Sequence, residues 1–210
     1  MPRRSAAEAL ETRTAILDRC VDLASIEGLD GLTLGRLAGD LGMSKAGVLG
    51  HFGSKEELQL AALRTAVGIF TREVWEPASA TAPGRARLLA IADRWLSYLA
   101  RDVFPGGCFV TAASCEFDDR PGRVRDALAA RHAQWLGVLA QEARVAVRNG
   151  ELPRGTDADD VAFALNAIAM GVNQARHLLG DPDAAARGWR AMRTLLGAPR
   201  ARRTAGRAGS

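Results

Sequence analysis

Apolar residues recur at helical spacing along nearly the whole chain, and no stretch alternates long enough to make a convincing strand. The first amphipathic run spans about Ala7 to Glu27, with Ile16, Leu17, Cys20, Val21 and Ala24 on one stripe and Gly28 as its stop. A second helix begins after Thr33, whose hydroxyl can accept from an orphan backbone N–H, and repeats through Leu34, Leu37, Ala38 and Leu41. Gly42 falls where a tight turn needs positive φ. Ser44 can cap a third helix with Val48, Leu49 and Phe52 inward. Ser54 can cap a fourth, with Glu57 placed to complete a capping box. That fourth helix is predicted to run towards Trp75 and stop before Pro77, leaving a loop from Glu76 to Pro83. A fifth follows from about Gly84 to Arg101, with Leu88, Ile91, Ala92, Trp95 and Leu99 inward. After the turn Phe104-Pro105-Gly106-Gly107 come a short helix, Cys108 to Phe117, and a long one, about Arg123 to Arg148, stopped by Asn149-Gly150. Asp157 caps a helix reaching Leu179. Pro182 opens the last, whose Ala185, Trp189, Met192, Leu195 and Leu196 form one stripe.

The segment T-L-G-R-L-A-G-D-L-G-M-S-K-A-G-V-L-G-H-F-G-S-K-E-E-L, Thr33 to Leu58, reads as a short helix, a tight turn, a second short helix and the start of a third. That is the pattern of a helix-turn-helix. It resembles the DNA-binding end of the tetracycline-repressor (TetR) family of bacterial transcriptional regulators. The resemblance rests on Thr33, Ala38, the run Gly42-Met43-Ser44-Lys45, His51-Phe52 and the run Ser54 to Leu58, and covers roughly residues 10 to 65. This chain departs from the family in having Leu49 where an aromatic, commonly Tyr, is usual, and Gly47 where a polar residue is frequent.

The resemblance implies an all-α protein: an N-terminal three-helix DNA-binding domain over 1–55, a larger C-terminal helical ligand-binding and dimerisation domain over 56–197, and a basic tail, 198–210, without fixed structure. It implies a ligand-responsive regulator, a repressor that binds a palindromic operator as a homodimer and is released by a small molecule. The rival expectation is a dimeric helical small-molecule-binding protein with a degenerate DNA reader. The candidate DNA contacts are Thr33, Arg36, Ser44, Lys45, Ala46, Gly47, Leu49, His51 and Lys55, with the helix from Lys45 to His51 in the major groove and Lys55 on a phosphate. By the same analogy the effector sits among helices four to seven. The candidate lining there is Phe70, Trp75, Trp95, Tyr98, Phe109, Cys115, Phe117 and Trp135, and an uncharged, partly apolar ligand is favoured. The run V-A-F-A-L-N-A-I-A-M-G-V, residues 161–172, is apolar almost all round and rich in small residues. Such a helix needs partners on more than one side, within the monomer core or from a second copy, and the resemblance implies that the last two helices form the homodimer contact.

Composition narrows this further. Apolar residues make up 48% of the chain, enough for a buried core, and the abundance of Ala, Leu and Arg favours helix. The net charge of +4 is not a DNA-binding signal, because the tail 198–210 holds four Arg and no acid and supplies the whole excess. Residues 1–60 carry slightly more acids than bases. Placement says more: the two Lys of the chain, Lys45 and Lys55, both fall in the helix-turn-helix region, and Arg3, Arg4 and Arg13 could form an arm onto DNA. Cys20, Cys108 and Cys115 are an odd set without an export signal, so reduced thiols are expected. Cys20 reads as core, and Cys108 and Cys115 share a face if both are helical. His51, His132 and His177 are isolated, so no metal and no cofactor are expected. No nucleophile, base or glycine-rich phosphate loop suggests an enzyme, and Asp118-Asp119 suits a turn. The most apolar stretch is too short to span a bilayer, which points to a cytoplasmic protein.

Overall fold

Among residues 6–197, which the computed structural model describes, every regular element is a helix. The expectations for Arg3, Arg4 and the 198–210 tail lie outside these residues. The order is α1 (Ala6–Glu27), α2 (Leu34–Asp40), α3 (Lys45–Phe52), α4 (Lys55–Phe70), α5 (Arg85–Ala100), α6 (Phe109–Phe117), α7 (Arg123–Arg148), α8 (Ala158–His177) and α9 (Ala184–Leu195). One boundary departs from the sequence reading. α4 does not stop before Pro77 but runs on through a π turn, Thr71–Trp75, and a last α turn, Glu76–Ser79. The Glu76 N–H reaches back to Thr71 O, and this wider turn accommodates a proline ring that an α ladder would exclude.

Helices α1 to α3 form a small head packed on α4, and α5 to α9 form the body, which α4 and the π turn that follows it meet through α5, α6 and α7. One continuous core joins them, from Ile16, Leu37, Val48 and Leu58 to Leu88, Ile91, Leu139, Leu165 and Met192. Each such side chain stabilises the fold by roughly 1.5–3 kcal/mol relative to exposure. In the body, α9 lies close over α8 and α5, because a Cβ on Gly188 would stand 2.4 Å from Val172 Cγ2. A buried ion pair ties α5 to α7: Glu142 accepts from Arg87 Nη1 at 2.9 Å and from the Gly84 N–H at 2.8 Å. Among the described residues no helix is long and apolar enough to cross a membrane.

Candidate nucleic-acid interface and effector cavity

The head is built by caps. Thr33 Oγ1 accepts the Arg36 N–H at 3.1 Å, Ser44 Oγ the Gly47 N–H at 3.0 Å, and Ser54 Oγ the Glu57 N–H at 3.1 Å. Gly42, at φ +63°, turns the chain, and Met43 N–H closes the turn on Ala38 O at 2.9 Å. The capping box at Ser54 is only half formed. Glu57 donates its N–H as expected, but its carboxylate goes to Arg123 Nη1 at 2.6 Å.

On α3, Val48 and Phe52 are buried, so 3.6-residue periodicity turns Ala46 and Gly50 outward, while Leu49, expected inward, is half-buried at the edge of that face. Lys45 is exposed and its stem passes over Gly35, where an added Cβ would meet Lys45 Cε at 2.9 Å. Arg36 is 54% exposed, 3.6 Å from both Glu27 and Asp40. His51 is half-buried beside Phe52. Arg13 and Lys55 both hold backbone carbonyls of the head. Arg13 donates to the His51 carbonyl and stacks 4.1 Å above the Phe52 ring, which makes it a support for α3 rather than a free arm. Lys55 donates to Asp30 O at 2.6 Å, with Asp30 Oδ1 at 3.5 Å, so its ammonium points back into the head.

Head and body are clamped at the loop between α1 and α2. Glu116, near the end of α6, accepts the Leu29 N–H at 2.7 Å and the Asp30 N–H at 2.9 Å, one on each carboxylate oxygen. Gly28 makes room for it: its φ is +85°, and a Cβ there would lie 2.8 Å from Glu116 Oε1. Asp30 in turn pairs with Arg120 and Lys55. Partial burial opposes its ionisation, but the two cations outweigh that and hold its carboxyl below the ordinary range. Arg123 adds contacts from the start of α7 to Glu56 and Glu57 at the N-terminus of α4.

The body holds a cavity of about 340 Å³ between α4, α5, α6, α7 and α8. Four of the eight sequence candidates line it: Phe70, Trp75, Trp95 and Trp135. Phe70 and Trp95 meet Trp135 edge to face, with ring centroids 5.0 and 5.3 Å away. The structure places the other four elsewhere. Tyr98 and Phe109 are fully packed behind the wall, where each contacts Phe104, and Phe117 is buried at the head end beneath Arg120. Cys115 is exposed on the outer side of α6. Cys108 and Cys115 do not share a face, because Cys108 precedes α6 in extended geometry and is buried on the cavity wall. Burial raises the Cys20 thiol to about 12, as befits an inert core residue.

The cavity also draws in residues that sequence reasoning passed over, among them Cys108, Arg131, His132, Gln134, Asn166 and Met170. The spacing of 131, 134, 135 and 138 marks one face of α7, but the pattern does not say whether that face looks into core or cavity. Trp135 Nε1–H is buried without a partner, a condition that costs roughly 1–3 kcal/mol. Among the described residues no three His, Cys, Asp or Glu side chains gather as a metal site.

A capped helix pair with an outward second helix, carried on a helical body with its own cavity, defines a helix-turn-helix protein. Residues 16–62 match the model of bacterial regulatory proteins of the tetR family, and residues 84–192 match the tetracyclin repressor-like C-terminal domain. The chain belongs to the TetR family and is a DNA-binding transcriptional regulator, from a family of regulators rather than enzymes. It is 26% identical over 157 residues to the HTH-type transcriptional regulator SrpR of Pseudomonas putida, covering 75% of this chain and 71% of that one. The fold is similar to a TetR regulator of Chloroflexus aurantiacus, with a TM-score of 0.84 at 22% identity over 91% of this chain and 96% of the other. It is also similar to AibR, solved in complex with isovaleryl coenzyme A and operator DNA, with a TM-score of 0.70 at 21% identity over 88% and 96%.

Proposed function

We propose that the protein is a repressor that binds a palindromic operator as a homodimer and releases it when a small molecule enters the cavity. The observation that carries this reading is the double engagement of α6. Its Val110, Thr111 and Ser114 line the cavity, and its Glu116 holds the Leu29–Asp30 loop of the head. An effector that binds better when α6 is displaced therefore also favours a displaced head, which is all that coupling requires.

For the operator, Lys45, Ala46, Gly47 and Leu49 face base edges in the major groove, while Thr33, Arg36, Ser44 and His51 meet phosphates. Lys55 acts chiefly by fixing the Asp30 loop and adds long-range attraction. Ala46, Gly47 and Gly50 give α3 little side-chain bulk, so selectivity leans on DNA shape and close approach as well as on Lys45. The reader extends to residue 55 and the effector and dimer body from 56 to 197, with α4 common to both. The AibR complex supports the reading by showing a neighbour of the same fold with an acyl-coenzyme A and an operator.

Exposed apolar residues along α8 and in the turn just after it support the homodimer. Phe163 is 70% and Leu178 72% exposed, and Ala167 and Gly171 between them leave space for a second copy of the helix. Two-fold pairing there sets two readers on two half-sites, hence a palindrome.

The test is fluorescence anisotropy of the full chain with the DNA upstream of its own gene and with scrambled DNA, over a salt series, alongside sedimentation of the free protein. A dimer that binds the upstream fragment tightly, with affinity falling linearly on a log-log salt plot, supports the reading. A dimer that binds both fragments equally and weakly favours the ligand-binding protein with a degenerate reader.

A further inference from the structure

We propose that the effector is an organic anion: a carboxylate on an apolar, ring-sized body. This rests on the cavity being the effector site and names the chemistry it selects.

The wall formed by Phe70, Trp75, Trp95 and Trp135 offers ring faces and edges to an apolar body, and about 340 Å³ suits one or two fused rings. The basic side chains of the lining, Arg131 and His132, both stand on α7. Trp135 Nε1–H is a donor without an acceptor, and among the described residues it is the buried side-chain polar atom left so. An indole N–H can only donate, so its complement in a ligand is an oxygen or another acceptor.

Arg131 stands one helical turn before Trp135, where i and i+4 side chains are neighbours. Its guanidinium donates to Gln134 Oε1 at 2.9 Å, a neutral partner that leaves the charge uncompensated, and His132 lines the cavity beside it. None of the lining residues is Asp or Glu, and the chain outside the described range contains neither. A ligand cation would therefore meet Arg131 with no carboxylate to offset it. A carboxylate can face Arg131 with one oxygen and, once the indole turns its sealed Nε1–H towards the cavity, accept from Trp135 with the other, an arrangement that charge-assisted hydrogen bonding favours. The sequence alone leaned to an uncharged ligand because Arg131 and His132 had not been placed at the cavity.

The test is calorimetric titration of the full-length protein with three probes of one shape: 2-naphthoate, 2-naphthamide and 2-naphthylmethylamine. The naphthoate is expected to bind about ten-fold tighter than the amide, and the ammonium compound weakest. Arg131→Gln, an exposed position, should remove that ten-fold preference by weakening the acid far more than the amide, whereas Trp135→Phe should weaken acid and amide alike. Equal or tighter binding of the ammonium probe, an unchanged acid preference in Arg131→Gln, or no binding of any probe overturns the assignment. Because the titration contains no DNA, its result is separate from the regulator reading. An anion that binds as expected but leaves an operator complex intact would count against effector control and not against the ligand class.

Discussion

The head and the body are both helical, yet they are held by different kinds of contact. In the head, Thr33, Ser44 and Ser54 each satisfy a backbone N–H three residues on, and Arg13 braces α3 from α1. In the body the decisive contacts join residues far apart in the chain: Arg87 with Glu142, Phe70 with Trp95 and Trp135, Asp102 with Arg176. The reader has buried apolar residues of its own, from Ile16 to Phe52, and adds these local caps to them. The body has enough core to leave a cavity within it, and ties its helices with a buried ion pair.

Removing one member of the buried pair should have the largest effect. Glu142→Ala leaves Arg87 and the Gly84 N–H without their shared acceptor, at an expected cost of roughly 3–5 kcal/mol in denaturant unfolding. Structure should be lost from the body first, seen as early exposure of Trp95 and Trp135 in fluorescence. Next is the join between the two regions. Gly28→Ala imposes a side chain at φ +85° and pushes on Glu116, and should cost roughly 1–3 kcal/mol while making the Leu29–Asp30 loop sensitive to protease.

On the DNA side, Lys45→Ala should weaken binding and lower the log-log salt slope by about one, because an exposed cation is removed. Lys55→Ala should change the slope less and the loop more, since its ammonium is already held by Asp30. Equal slope changes from the two would mean that Lys55 leaves Asp30 when DNA arrives.

The smallest effect expected is one of pH. The Asp30 carboxyl is held below its unfolded value of about 3.9, so its contribution is complete above that value and lost as pH falls through the lower folded one. Unfolding free energies should therefore show no Asp30 contribution to pH dependence near neutrality. Asp30→Asn should flatten the acid limb below about pH 4.

The same contrast explains what the chain reveals in one dimension. The caps at Thr33, Ser44, Ser54 and Asp157 were readable because donor and acceptor lie within three residues, and the helix stripes because their period is local. Glu116 was not readable as a clamp, since its partners lie 86 and 87 residues away. The seven aromatic candidates divided four to three for a related reason: composition marks a side chain as fit for an interior but not which interior. Trp95 borders the cavity and Tyr98, three residues on, is sealed behind it beside Cys108, where burial raises its phenol far above the usual range. The π turn was invisible because Pro77 signals a stop in an α ladder, and only the wider turn before it removes that stop.

The Glu116 clamp has a consequence for anyone recombining regulators of this kind. A hybrid joined after residue 55 would carry over every cap of the reader and still lose the carboxylate that closes Leu29 and Asp30, because that group is encoded sixty residues downstream. A transplanted reader would need the final turn of α6, or an equivalent acid on the recipient, before it could hear its new host.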